Sequence, residues 1–352
     1  IVKYRGSIHG TNEYPFLIGE TGLTVLPITS LRLEHVVSKE RVSSGIPRLD
    51  SMIGGKGYFR GSTVLVSGTA GTGKTSLAAA FVNAACRRGE KSIFFSFEES
   101  PSQVIRNMRS IGIDLQTPMD KGLLKFYAER PTVFGLESHL VTVHKAIEDF
   151  RPRVVVLDPI SNLTSVGIES DIKIMLTRII DYMKVQRITT LFTSLTTPGG
   201  VLEQTEVGIS SLADTWLILR NIELGGERNR AVHVLKSRGM PHSNQVREFL
   251  LSAHGIDLVD IYVGPRGVLT GAARLSQEAQ ERDMERAMQH EIEMKRINLE
   301  TKRRAVEAQV AVLRAQFEAE EEEVKRLAAQ ENLRRKGATQ LQKDLARLRK
   351  AD

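Results

Sequence analysis

The run Gly68-Thr69-Ala70-Gly71-Thr72-Gly73-Lys74-Thr75 has the composition and spacing of a P-loop. It follows the apolar run Thr63–Ser67 and opens a helical pattern, which is the context such a loop requires. Glycines let backbone N–H groups converge on phosphate oxygens, and the helix N-terminus adds a positive dipole. Lys74 is placed to reach the β- and γ-phosphates of ATP, and Thr75 to hold Mg2+. Thr69, Gly71, Thr72, Gly73 and Ser76 complete the candidate nucleotide-binding set. Asp158 ends the apolar strand Val154-Val155-Val156-Leu157. That is the Walker B position, where a strand-end carboxylate faces the loop and holds the magnesium through water. Glu98 and Glu99 follow the run Ser92–Phe97, read as the strand next to the P-loop strand. Two acids at its carboxyl end stand where an attacking hydroxyl or water would be, and either could take its proton. Glu98 is expected to be the base, with Glu99 supporting it.

These residues need a scaffold that gathers strand ends on one edge. The runs Thr63–Ser67, Ser92–Phe97, Val154–Leu157 and Thr189–Thr193 are short and continuously apolar, as strands buried on both faces should be. Helical patterns lie near Thr75–Arg88, Ser102–Ser110, Leu136–Phe150 and Asp171–Gln186. The alternation predicts an α/β fold with a mostly parallel central sheet and helices on both faces. Thr215–Leu219, Ala231–Leu235 and Arg247–Leu251 have less helix between them and read as added antiparallel strands.

The chain of 352 residues is long enough for about two domains. Its composition, 41% hydrophobic and 26% charged, excludes a disordered or collagen-like chain. No stretch approaches the ~20 apolar residues of a membrane span, and no secretory signal is visible. The single cysteine, Cys86, excludes a disulfide scaffold and fits a reducing, cytoplasmic setting; it reads as a core residue. The net charge of +7 is spread, with +5 over residues 1–273 and +2 over 274–352, so no basic block points to nucleic acid.

Two patterns mark the ends. Val2-Lys3-Tyr4-Arg5-Gly6 through His9 resembles Leu235-Lys236-Ser237-Arg238-Gly239 through His242, and Phe16, Leu17 and Gly22 match Phe249, Leu250 and Gly255, all at an offset of 233 residues. The expected organisation is the end of a preceding, similar domain at 1–27, a linker at 28–42, an ATPase domain at 43–273 and a tail at 274–352. In that tail a 3–4 alternation runs from Leu299 to Leu348, and 11 of its 15 positions are apolar. Such a period, held over seven heptads, predicts a left-handed coiled coil, ~110 Å long if roughly 75 residues are helical.

Taken together, the landmarks resemble the KaiC family, the RecA-like circadian-clock ATPases and autokinases. The resemblance covers nearly all of residues 1–275. It rests on Ser44-Gly45-Ile46-Pro47-Arg48-Leu49-Asp50, the P-loop, Phe97-Glu98-Glu99-Ser100, Asp158, Ile209-Ser210-Ser211-Leu212-Ala213-Asp214 and Leu269-Thr270-Gly271-Ala272-Ala273-Arg274-Leu275. It implies a RecA-like P-loop fold that binds Mg2+ and ATP between the subunits of a hexamer. It also implies that this is the second, kinase-bearing domain of a tandem pair. Ser210 and Ser211 would be the autophosphorylated pair, with Thr205 a transient further acceptor. Lys236 and Arg238 would reach the ATP of the adjacent subunit; on a strand, their spacing puts both on one face. Each phosphate would add roughly −1.5 to −2 charges, enough to switch packing at an interface. Lys3 and Arg5 would be the equivalents for the preceding domain, which in the family is also where KaiB docks.

The heptad tail departs from the short KaiA-binding tail of the best-known members. That puts KaiA dependence in doubt and suggests that two hexamers associate through their tails into a dodecamer. A DNA motor of RecA type would need basic channel loops, and Thr196–Gly208 has no Lys or Arg but holds Glu203 and Glu206. A third class, an ATPase that only controls assembly of the coil, would show no nucleotide-dependent phosphorylation.

Overall fold

The computed structural model describes residues 5–6, 16–19, 22–25, 37–196, 208–224, 226–264 and 267–349. The chain forms two units, Ile1–Leu275 and Ser276–Asp352. In the first, two ribbons pair β1 (Phe16–Gly19) with β2 (Gly22–Val25) and β3 (Arg41–Val42) with β4 (Tyr58–Phe59). The main sheet is built from β5 (Thr63–Gly68), β6 (Ser92–Ser96), β7 (Leu124–Ala128), β8 (Val154–Asp158), β9 (Thr189–Leu195), β10 (Thr215–Leu224), β11 (Glu227–Ser237), β12 (Arg247–Ser252) and β13 (Gly255–Asp260). A last ribbon pairs β14 (Tyr262–Gly264) with β15 (Gly267–Leu269). The helices are α1 (Pro47–Met52), α2 (Lys74–Arg87), α3 (Pro101–Ser110), α4 (Gln116–Asp120), α5 (Leu136–Phe150), α6 (Glu169–Val185) and α7 (Gly271–Leu348).

The main sheet runs in the order β13-β12-β11-β10-β5-β9-β8-β6-β7. The six strands from β10 to β7 are parallel, and β11, β12 and β13 add antiparallel pairs on one side. This is the mostly parallel arrangement that the alternation predicts, in the RecA-like form that the resemblance implies. The parallel strands are buried on both faces. Val64 and Val66 pack on the side of α2, while Leu65 packs on the side of α5 and α6. That is why these strands read as unbroken apolar runs.

Two sequence expectations are corrected. Thr215–Leu219 belongs to a strand parallel to β5, not to an antiparallel addition. The Trp216 indole N–H donates 2.8 Å to Ser67 Oγ, a side-chain tie between β10 and β5. The strand bearing Glu98 and Glu99 is not next to the P-loop strand, since β9 and β8 lie between them. Strand β7 was not anticipated. It lies at the edge of the sheet and is only partly buried, so its pattern is less apolar than that of its neighbours.

The 233-residue repeat has a structural counterpart. Phe16 pairs with Val25 and Gly19 with Gly22, as Phe249 pairs with Leu258 and Ser252 with Gly255, so the two hairpins share one register. Gly22 and Gly255 sit at the same turn position with φ of +97° and +108°, backbone that a side chain would strain. Lys3, with Val2, Tyr4 and His9, lies outside the described residues, as do Thr205 and positions 197–207 of the connection before Ser210.

The second unit is helical from Ser276 to Leu348. Its surface carries Glu-before-Lys or Glu-before-Arg pairs one turn apart, such as Glu291–Lys295 and Glu300–Arg304, which support an isolated helix by a few tenths of a kcal/mol each. The apolar seam from Leu299 to Leu348 is exposed. Among the described residues no helix is long and apolar enough to cross a membrane.

Candidate functional site

Strand β5 delivers the P-loop, and α2 leaves it. Gly73 caps α2 with φ of +97°, and a Cβ there would stand 2.7 Å from Phe249 Cε1. A Cβ on Gly68 would run into the carbonyl oxygen of Leu219. Both glycines are therefore required by conformation or by close approach. Thr72 is fully buried, and its hydroxyl donates 2.9 Å to Thr69 O. Its side chain closes the loop onto the Thr69 carbonyl, and the place of Thr69 and Thr72 in the candidate binding set rests on their backbone N–H groups.

The cleft beyond the loop has a volume of about 410 Å3. Gly71, Gly73, Lys74, Thr75 and Ser76 line it from the loop side, and Glu98, Glu99 and Asp158 line it from the ends of β6 and β8. Lys74 Nζ donates to Gly68 O and Thr69 O at 2.9 and 2.8 Å. Burial pulls the ammonium's pKa down, against the attraction of Asp158 and Glu98. A buried cation whose partners on the loop are carbonyl oxygens is well matched to an incoming polyphosphate.

Asp158 is buried at the end of β8, and Thr193 and Thr75 donate hydroxyl hydrogen bonds to its carboxylate. Burial raises its pKa above the ordinary carboxylate range, opposed by those hydrogen bonds and by Lys74. The donor set suits a small hard cation that keeps most of its water: one hydroxyl, one carboxylate, and room for phosphate oxygens. Among the described residues no cluster of three or more His, Cys, Asp or Glu gathers as a metal site. A carboxyl with a raised folded pKa favours the folded, unliganded chain while protonated, and this contribution is lost as pH rises through that pKa. A bound cation needs the ionised form. Mg·ATP affinity is thus expected to climb with pH through the raised pKa of Asp158 and to lose that limb in Asp158→Asn, as read by fluorescent-nucleotide titration.

Glu98 and Glu99 line the cleft although two strands separate β6 from β5. Ser96 Oγ donates 2.6 Å to Glu99 O and fixes the turn after β6. Ser100 then caps α3 in a capping box with Gln103. Asn107 Nδ2 donates 3.2 Å to Glu99 Oε1, whereas the charge of Glu98 acts on Lys74, opposing the fall that burial causes in the ammonium's pKa. Sequence reasoning missed Asn107 and Arg230, both in the cleft; Arg230 Nε donates 3.1 Å to Gly71 O. No local motif marks either one, since each arrives from a separate element.

Lys236, Arg238, Ser210 and Ser211 form a second group. Lys236 Nζ donates 2.6 Å to Ser210 O, and an Arg238 guanidinium nitrogen donates 2.9 Å to Ser211 O. Asp214 stands beside them, accepting from Thr63 N at 2.9 Å and pairing with Lys184 at 3.2 Å. This group lies at the opposite edge of the sheet from the P-loop. Ser237 pairs with Thr215 and Thr215 with Val64, at the start of β5, whereas the loop begins at its end. The two edges are separated by roughly 16 Å of strand at ~3.3 Å per residue. One copy of the chain thus presents a nucleotide cleft on one edge and a hydroxyl pair with two cations on the other.

Residues 42–262 match the family model for the KaiC ATPase. "Circadian clock protein KaiC2" of Synechocystis sp. is 50% identical over 335 residues, covering 94% of this chain and 59% of that protein, a span that takes in tail as well as sheet. "Circadian clock oscillator protein KaiC" of Acaryochloris marina is 37% identical, covering 82% of this chain and 55% of the relative. The protein of that name from Synechococcus elongatus is also 37% identical, covering 77% and 52%. The chain therefore spans between half and three-fifths of the length of these relatives.

Proposed function

The chain belongs to the KaiC ATPase family, and from that membership we propose that it is an Mg·ATP-dependent ATPase and serine autokinase of a clock or timer system, acting across the interfaces of a homohexamer. The observation that carries this reading is the separation of cleft and acceptor. Ser210 and Ser211 lie on the sheet edge away from their own P-loop, and two cations stand beside them. A ring that stacks one edge on the other supplies each cleft with a neighbour's hydroxyl and charge.

In the proposed reaction Lys74 and the loop N–H groups hold the triphosphate, and Thr75 and Asp158 hold its Mg2+, which when bound would neutralise charge on the phosphates. Glu98 accepts the proton of the neighbour's Ser210 or Ser211 hydroxyl. The serine oxygen bonds to the γ-phosphorus as the bond to the β–γ bridging oxygen breaks, and ADP leaves. Lys236 and Arg238 of the same neighbour balance the charge on the transferred group. Water in place of the serine gives hydrolysis, and the reverse transfer to ADP removes the phosphate. The shared hairpin register supports reading residues 16–25 as the end of a preceding domain of the same kind. The heptad tail supports pairing of hexamers into a dodecamer.

The test is incubation with Mg·ATP followed by phosphosite mapping by mass spectrometry. Phosphate on Ser210 or Ser211 is the expected result. ATP turnover with no phosphate at either residue would favour the second reading, in which nucleotide state only controls assembly through the exposed heptad helix.

A further inference from the structure

The seam of the tail helix is interrupted by four charges. With Leu299 at position d of its heptad, Arg303 and Glu331 fall at a, and Glu320 and Arg334 at d. None of the residues of α7 is buried, so this seam has no cover among the described residues. A parallel pair in register would set each seam residue against its own copy. Arg303 would meet Arg303, Glu320 would meet Glu320, and the same would hold for Glu331 and Arg334. Four like-charged layers inside one apolar seam oppose that arrangement.

An antiparallel pair sets a against d. Where the numbers of facing residues sum to 623, Arg303 faces the partner's Glu320, Val310 its Leu313, Phe317 its Val306 and Val324 its Leu299. Two-fold symmetry repeats these contacts, so eight consecutive layers carry six apolar pairs and two Arg–Glu pairs. The flanks agree. Lys302 comes beside the partner's Glu323, and Glu307 beside the partner's Arg314. The one like-charged flank, Glu300 against the partner's Glu321, is relieved within each helix by Arg304 and Lys325, both at 2.9 Å.

We propose that the tail pairs with a second copy of this chain as an antiparallel coiled coil centred between Ala311 and Val312, its register set by Arg303 and Glu320. Copies related by the rotation axis of one ring send their tails the same way, so antiparallel pairing joins chains of two different rings. The proposal rests on the coiled-coil reading of the tail above and is independent of any phosphate transfer.

The test uses the full chain with Leu299→Cys or Val324→Cys; the native Cys86 is buried and stays in place. After mild oxidation, a mixture of the two variants should give a covalent dimer on a non-reducing gel. Neither variant should cross-link alone, because like positions would be ~38 Å apart at 1.5 Å per residue. Self-cross-linking of each variant would show a parallel pair and overturn the proposal. A second arm follows tail association by sedimentation. Arg303→Glu and Glu320→Arg should each weaken it about tenfold or more, and the double exchange should restore it. Equal association in all three would overturn the assigned register. Absence of any cross-link, with the chain sedimenting unpaired, would overturn both pairing and the coiled-coil reading. Phosphate on Ser210 or Ser211 is scored separately, so failure of the autokinase reading shows as a different result.

Discussion

Glu98→Gln is expected to lower phosphate incorporation into Ser210 and Ser211 by about 10^2- to 10^4-fold, the range typical of losing a general base. The amide keeps the size of the carboxylate but cannot take the proton. Nucleotide binding should change little, since in the proposed reaction the triphosphate is held by Lys74 and the loop. Glu99→Gln should cost less, because the Glu99 carboxylate is already engaged by Asn107 and its backbone is tied to Ser96. Single-turnover transfer rates with radiolabelled ATP separate the two. A larger loss for Glu99→Gln than for Glu98→Gln would exchange their roles.

Arg238→Ala is expected to have an effect of comparable or larger size, up to about 10^3- to 10^5-fold on transfer, as for a cation supplied in trans to a phosphoryl group. Lys236→Ala should act in the same direction. Each cation lies at the sheet edge opposite its own cleft, so the unassembled chain should bind nucleotide as before. A merely structural role is testable, because both side chains also hold the backbone of the serine pair. Lys236→Arg keeps a donor to Ser210 O and a positive charge, and it should recover much of the rate. The pH profile gives a further readout. Burial, with Arg238 and Lys184 nearby and Asp214 opposing, holds the Lys236 pKa below that of a free lysine. Its charge is lost earlier as pH rises, so the alkaline limb of the transfer rate should move upward in Lys236→Arg.

Legibility in the sequence followed locality. The P-loop, its strand and its helix are consecutive, and the Walker B strand with Asp158 is an unbroken apolar run, so composition and spacing located them. The two-sided burial of β5 explains why its pattern could be read without neighbours. What depends on strand order was not readable. Nothing in Ser92–Phe97 says that two strands intervene before β5, nor in Thr215–Leu219 that it runs parallel to Thr63–Gly68. Arg230 and Asn107 reach the cleft from β11 and α3 through long-range packing that no local spacing encodes. The hairpin repeat was readable because register follows from turn position, and the glycines at the two turns kept their place at a fixed offset.

The most direct test of transfer between subunits mixes two defective chains. One carries Lys74→Ala, which leaves both serines but removes the proposed triphosphate anchor. The other carries Ser210→Ala with Ser211→Ala, which leaves an intact cleft but no acceptor. Each alone should remain unphosphorylated in Mg·ATP. After mixing and reassembly, phosphate should appear on Ser210 or Ser211 of the Lys74→Ala chain, as peptide mass spectrometry would show. A mixture that stays unmodified, while the unsubstituted chain phosphorylates itself at a rate independent of concentration and assembly, would contradict transfer in trans.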